Sequence, residues 1–185
     1  MKKEYVFEEF AFGDVYQVSY PSFGDMSRGA DKLFEIKCDN IFSKLNFNPA
    51  ESLLLHSGQG MLRGMHYQSR DCNRQNRLLY IVSGRVFIAI VDLREHKSTY
   101  GSWKGIRIAD SDKVCLYVPG DFAIGTLAEV DSSIMMFYDK EYEEGYDQGF
   151  RYDDDKVGIT WGLPENELHI AEKDLLLPSF QERHK

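Results

Sequence analysis

Short apolar runs of strand length, divided by Gly, Asp and Ser, recur along the middle of the chain: "ESLLLHSG", "GMLRGMHYQ", "RLLYIVSG", "RVFIAIVDLR", "SWKGIRIAD", "KVCLYVPG", "FAIGTLAEV" and "SSIMMFYD". Each predicts a strand bounded by turn residues. "VSGRVFIAIVD" predicts a tight, hairpin-like turn at Ser83-Gly84, and "VPGDF" a second turn with Pro119 ending a strand. Helical periodicity is weak. "DNIFSKLNF" (39–47) predicts one or two amphipathic turns, and "AEKDLLLPS" a short terminal helix. Eight or more short strands in one chain predict an all-β sandwich or barrel. An antiparallel jelly roll with a few short helices fits best, and that architecture often encloses a cavity between its sheets.

Composition narrows this picture. A length of 185 residues predicts one domain over 1–185, large enough for a core without staples. The 11 Tyr and 12 Phe favour strands and aromatic pocket walls. A net charge of −8 argues against non-specific nucleic-acid binding, though it leaves room for a local anion site. Cys38, Cys72 and Cys115 are scattered and form no CxxC pair, which reads as reduced thiols. "MKKEYVFEEF" lacks the apolar region of a signal peptide, and no run approaches a membrane span. The expected protein is soluble and cytoplasmic, with no membrane or nucleic-acid partner.

The chemistry gathers in "MLRGMHYQSR", residues 61–70. Strict alternation puts Arg63 and Met65 on one strand face and Leu62, Gly64, His66 and Gln68 on the other. His66 can accept a proton near neutrality and is the candidate general base. A carboxylate would orient its ring, and Asp174 in "AEKD" or Asp92 in "VDLR" could supply it. Spacing alone fits a backbone-bonded core histidine equally well. Of the nearby arginines, Arg70 and Arg74 read as solvated loop charge. Arg63 and Arg77 adjoin apolar strand positions and are expected to meet an anion or a buried acid. His56, His66, His96, His169 and His184 form no HxH or HExxH, so no catalytic metal is expected. There is no GxSxG elbow, GxGxxG turn or P-loop. "RYDDDKVGITW" reads as a solvated loop followed by a packed Trp161.

At "LRGMHYQ" the chain resembles the nucleoside-diphosphate 4-keto-sugar epimerases, typified by dTDP-4-dehydrorhamnose 3,5-epimerase. The resemblance continues through "GRVFIAIVDLREHKSTYGSWKGIRI", "LYVPGDFAIG" and "GYDQGFRYDDDKVGITW", covering roughly 50–175. It implies a cupin-type, metal-free and cofactor-free jelly roll that forms a homodimer, with the N-terminal segment contributing to the interface. The implied partner is a nucleoside-diphosphate 4-keto sugar, a 6-deoxyhexose or a heptose. The implied reaction is epimerisation at C3, C5 or both, in deoxysugar or surface-polysaccharide biosynthesis. Position by position, the resemblance makes His66 the base and Asp174 its carboxylate. Arg77 stands where the family has a lysine at the enolate oxygen. Arg28, Arg63, Gln68 and Lys173 become substrate contacts.

Two positions depart from the family pattern. Ile124 stands in "FAIG" where the family reads "FAHG", and Met136 falls where the family has its acid tyrosine. Tyr138, two residues on and sharing that strand face, is the expected replacement acid. With the usual acid displaced, the alternatives are a 3,4-ketoisomerase or a non-catalytic partner of an active epimerase.

Overall fold

The structure is a computed structural model and describes residues 4–24, 29–34, 41–68 and 74–183. Its strands are β1 (Val6–Ala11), β2 (Val15–Ser19), β3 (Ser22–Gly24), β4 (Gly29–Asp31), β5 (Glu51–Ser57), β6 (Met61–Gln68) and β7 (Arg77–Ser83). They continue as β8 (Arg85–Asp92), β9 (Trp103–Ala109), β10 (Val114–Val118), β11 (Phe122–Ala128), β12 (Ser132–Tyr138), β13 (Asp147–Gly149) and β14 (His169–Ile170). The short helices are α1 (Ile41–Leu45) and α2 (Glu172–Leu175). All eight apolar runs read from the sequence are strands, β5 to β12, and both short helices fall where expected.

The strands form two facing sheets. One runs β1-β2-β10-β7-β12-β5, and the other runs β13-β6-β11-β8-β9 with β14 added to β6. Every pairing along these two orders is antiparallel except β14 with β6. The chain steps repeatedly from one sheet to the other, which is the jelly-roll pattern. This corrects the reading of Ser83-Gly84. The turn there, with Gly84 at φ 85, joins β7 of one sheet to β8 of the other, so it is a crossover and not a hairpin.

Between the sheets lies an apolar core that includes Leu79, Ile81, Ile88, Ile90, Leu116, Phe122 and Ile134. Their alternation with residues of the outer faces fixes which side of each strand looks inward. The outer faces are covered as well. Leu62, Met65, Tyr67 and Phe87 pack under Phe150, Trp161 and Phe180 of the C-terminal stretch. Tyr20, Phe47, Tyr80 and Cys115 fill the other outer face. Cys115 is a free buried thiol, and burial pushes its pKa up to about 12, so it stays protonated. Cys38 and Cys72 lie outside the described residues. Trp161 packs as expected, donating its indole N–H to the Tyr152 carbonyl at 3.0 Å. Among the described residues, no helix is long and apolar enough to cross a membrane.

Candidate active site

β6 carries the candidate residues, and it does not alternate strictly. Ile124 of β11 pairs with His66 and Thr126 with Arg63, so three steps on β6 oppose two on β11. This extra residue is a β-bulge, and it exchanges the faces of everything beyond it. Met61 and Arg63 before the bulge therefore share one cavity wall with His66 and Gln68 after it. Leu62, Met65 and Tyr67 turn to the outer face. The strict alternation expected from the sequence had separated Arg63 from His66; the bulge brings them together. A glycine sits at its centre for a steric reason. Gly64 has φ +125, and a Cβ there would lie 2.7 Å from the Gly125 Cα.

The cavity between the sheets measures about 390 Å³. His66 stands on one wall, and α2 closes over it. Nε2 of His66 lies 3.1 Å from Oδ1 of Asp174, whose Oδ2 accepts the backbone N–H of Gly64 at 3.1 Å. Asp174 is 1% exposed. Burial alone would raise its pKa, but the His66 contact, the Gly64 N–H and the charge of Lys173 outweigh that and hold it below the usual carboxylate range. Asp174 is thus an anion beside the imidazole. Asp92, the other carboxylate considered, is engaged elsewhere. It is fully buried and accepts from Arg94 at 2.9 and 2.8 Å and from Thr99 at 2.6 Å.

The facing sheet supplies the charge and the phenol. Arg77, Tyr138 and Glu51 are consecutive partners across β7, β12 and β5, and all three line the cavity. Arg77 is 4% exposed and donates to the Phe122 carbonyl at 3.3 Å. Burial pulls its pKa below the usual value, while Tyr138, Asp147 and Asp139 pull it back. Neither Arg77 nor Arg63 has a carboxylate ion pair among the described residues. Arg63 instead donates to the Ser57 hydroxyl at 3.1 Å and the His56 carbonyl at 3.0 Å. The expected buried acid is therefore absent for both among those residues. Arg74 pairs with Asp121 across partly exposed side chains, in keeping with a loop charge.

Tyr138 faces the cavity with its hydroxyl 3.6 Å from the Met136 sulfur. Burial raises its pKa, partly offset by Arg77, so the phenol is protonated at neutral pH and can donate. Met136 and Ile124 are both on the cavity wall, Ile124 as the register partner of His66 and Met136 on β12 of the facing sheet. Gln68 is 3% exposed, and neither its amide oxygen nor its nitrogen has a hydrogen-bond partner among the described residues. Lys173 lines the same cavity. Arg28 lies outside the described residues. Among those residues, no group of three or more His, Cys, Asp or Glu side chains could hold a metal ion.

The arrangement so far is a histidine–aspartate pair in a cavity with a protonated phenol and two arginines that have no carboxylate ion pair among the described residues. The family model for dTDP-4-dehydrorhamnose 3,5-epimerase matches residues 9–182. The chain belongs to this epimerase family. A dTDP-4-dehydrorhamnose 3,5-epimerase of Methanothermobacter thermautotrophicus is 38% identical over 120 residues, covering 64% of each chain. The match to this relative spans less than two thirds of its length. The crystal structure of the Sulfolobus tokodaii epimerase superposes with a TM-score of 0.86 at 25% identity, covering 97% of both chains. That of Bacillus anthracis, solved with TDP and PPi bound, gives 0.85 at 25% identity over 95% of this chain and 99% of that one.

Several wall residues of this family member carried no signal in the sequence. Glu51, Gln75, Thr126, Tyr142 and Asp147 line the cavity, yet none was singled out from the sequence as a site residue. Cross-strand register brings in Glu51, Thr126 and Asp147, while Gln75 and Tyr142 arrive on loops. Asp147, for instance, reaches the wall because β13 pairs it with Gln68.

Proposed function

We propose that the protein epimerises a nucleoside-diphosphate 4-keto sugar at C3, C5 or both, in deoxysugar or surface-polysaccharide biosynthesis. The observation that carries this reading is the 3.1 Å contact between His66 and a buried, ionised Asp174 on the wall of a sugar-sized cavity. Protons next to a ketone are acidic because the resulting carbanion delocalises onto oxygen. With Nε2 held by Asp174, Nδ1 of His66 accepts such a proton, and Asp174 stabilises the imidazolium that forms. The buried Arg77 guanidinium lowers the energy of the enolate oxygen. Its planar fork replaces the family's lysine with the same charge. Tyr138, on the sheet facing His66, returns a proton to the opposite face of the carbon, and the configuration inverts.

Arg63, with Arg28 and Lys173, suits the diphosphate, since guanidinium forks match phosphate oxygens. The Bacillus anthracis relative was solved with TDP and PPi bound, which supports a diphosphate-bearing ligand as the class. Gln68 contacts the sugar. The reading takes residues 1–185 as one cupin-type domain that acts as a cytoplasmic homodimer. The exposed Leu53 and Leu54 on the edge strand β5 support pairing of two copies. Incubation with thymidine- and guanosine-diphosphate 4-keto sugars, followed by proton NMR, tests the activity. Altered ring coupling constants are the expected result. Unchanged sugars throughout would overturn it.

A further inference from the structure

Arg77 and Tyr138 lie on the last rung of their sheet. Val118, Arg77, Tyr138 and Glu51 are consecutive register partners, and each is the first or last residue of its strand, β10, β7, β12 and β5 in turn. A terminal rung has the ladder on one side only, so strand ends fray unless something beyond them holds. Proton transfer and charge stabilisation need placement to a fraction of an ångström. The hold has to come from residues past the rung.

Asn76 and Asp139 stand there, one step beyond Arg77 and Tyr138. The Asn76 backbone N–H donates to Oδ1 of Asp139 at 2.8 Å, and the Asn76 side chain donates from Nδ2 to Oδ2 at 2.6 Å. The Asp139 N–H returns a bond to the Asn76 carbonyl at 3.3 Å. Oδ1 of Asn76 accepts the Gly120 N–H at 2.9 Å, in the turn that follows β10. Contact at that turn is close, since a Cβ on Gly120 would lie 2.7 Å from the Arg74 Cβ. Gln75 adds a bond from Nε2 to the Lys140 carbonyl at 2.9 Å. Neither Asn76 nor Asp139 lines the cavity, so their bonds serve the residues that do.

Resting on the epimerase reading above, the geometry points to Asn76 and Asp139 as positioning residues that hold the oxyanion donor Arg77 and the acid Tyr138 in one fixed relation. The two residue types complete each other. A carboxylate accepts at both oxygens, and Asn76 offers it two donors while keeping its own amide oxygen for Gly120. The charge of Asp139 also favours the ionised form of the buried Arg77.

The test sets Asp139→Asn beside the exchanged pair, Asn76→Asp with Asp139→Asn. In the single variant a donor faces a donor whichever way the new amide turns, so a bond is lost. The exchanged pair can rebuild every bond, with the carboxylate moved to position 76. Against a nucleotide 4-keto sugar in deuterium oxide, the readout is the number of inversions per deuterium incorporated. General loss of fold lowers both together. A displaced Tyr138 lowers inversion alone, because His66 can return a deuteron to its own face. The ratio should fall roughly tenfold in Asp139→Asn and recover most of that in the exchanged pair. A second readout needs no turnover. The Arg77 side-chain N–H signals in proton–nitrogen NMR, assigned by their loss in Arg77→Met, should exchange with water roughly tenfold faster in Asp139→Asn and slow again in the exchanged pair. Unchanged Arg77 exchange, an unchanged ratio in an active enzyme, or an exchanged pair that restores neither would overturn the inference. A wild type that incorporates no deuterium removes the epimerase reading instead, and the Arg77 signals still judge the clamp.

Discussion

Asp174 faces two parts of β6 at once, with Oδ1 3.1 Å from His66 Nε2 and Oδ2 accepting the Gly64 N–H at 3.1 Å. The same carboxylate therefore sets the imidazole and ties α2 to the bulge that turns Arg63 into the cavity. His66, Arg63 and α2 are thereby one mechanical unit.

Asp174→Asn separates the two roles of that carboxylate. The rate of proton abstraction should fall by about 100-fold or more, since the ring loses its orienting anion. Stability should respond to pH in a definite sense. The folded pKa of Asp174 lies below its ordinary value, so its contribution is complete above the unfolded pKa of about 3.9 and is lost as pH falls through the folded value. Denaturant midpoints should show wild type ahead of Asp174→Asn at neutral pH, with the gap closing below about pH 4. A gap that widens in acid would contradict the assignment.

Tyr138→Phe should uncouple exchange from inversion. His66 can still remove a proton and return a solvent deuteron to the same face, so deuterium enters while the configuration stays. Product stereochemistry and deuterium content, read in one NMR experiment, check this. Full epimerisation by the phenylalanine variant would move the acid elsewhere on the wall.

Arg77 tests the oxyanion role. Arg77→Met should lower turnover by about 100- to 1000-fold, the cost of losing one strong oxyanion donor. Arg77→Lys should recover much of that, because the charge survives although the fork does not. Circular dichroism of both variants confirms that the buried site still folds. Equal turnover in the two would show that charge at this position is immaterial.

Gly64→Ala should destabilise the protein by roughly 1–3 kcal/mol. The new methyl meets the Gly125 backbone at 2.7 Å, and φ +125 disfavours any side chain. Thermal melting measures it, and an unchanged midpoint would mean the strands separate freely there.

Much of this architecture was legible because burial writes a period into sequence. β5 to β12 each carry enough apolar residues to announce a strand. β1 did not: "VFEEFA" lies on a sheet edge and is largely exposed, so nothing selects an apolar pattern. β13 and β14 are three and two residues long and exist only through pairing with β6. His66 and Arg77 were legible from residue type and strand position, and the motif resemblance chose Asp174 over Asp92. The strand face of Arg63 was misread because a bulge has no signature beyond a glycine. Asp147 and Glu51 were invisible because register is a property of two strands, never of one.

The central claim is that His66 is a working base. Proton NMR in deuterium oxide, with wild type and His66→Asn against the same nucleotide 4-keto sugar, tests it most directly. The account predicts deuterium entering at C3 or C5 with wild type and a rate lower by about 100- to 10,000-fold in the variant. Equal exchange by the two proteins would contradict it.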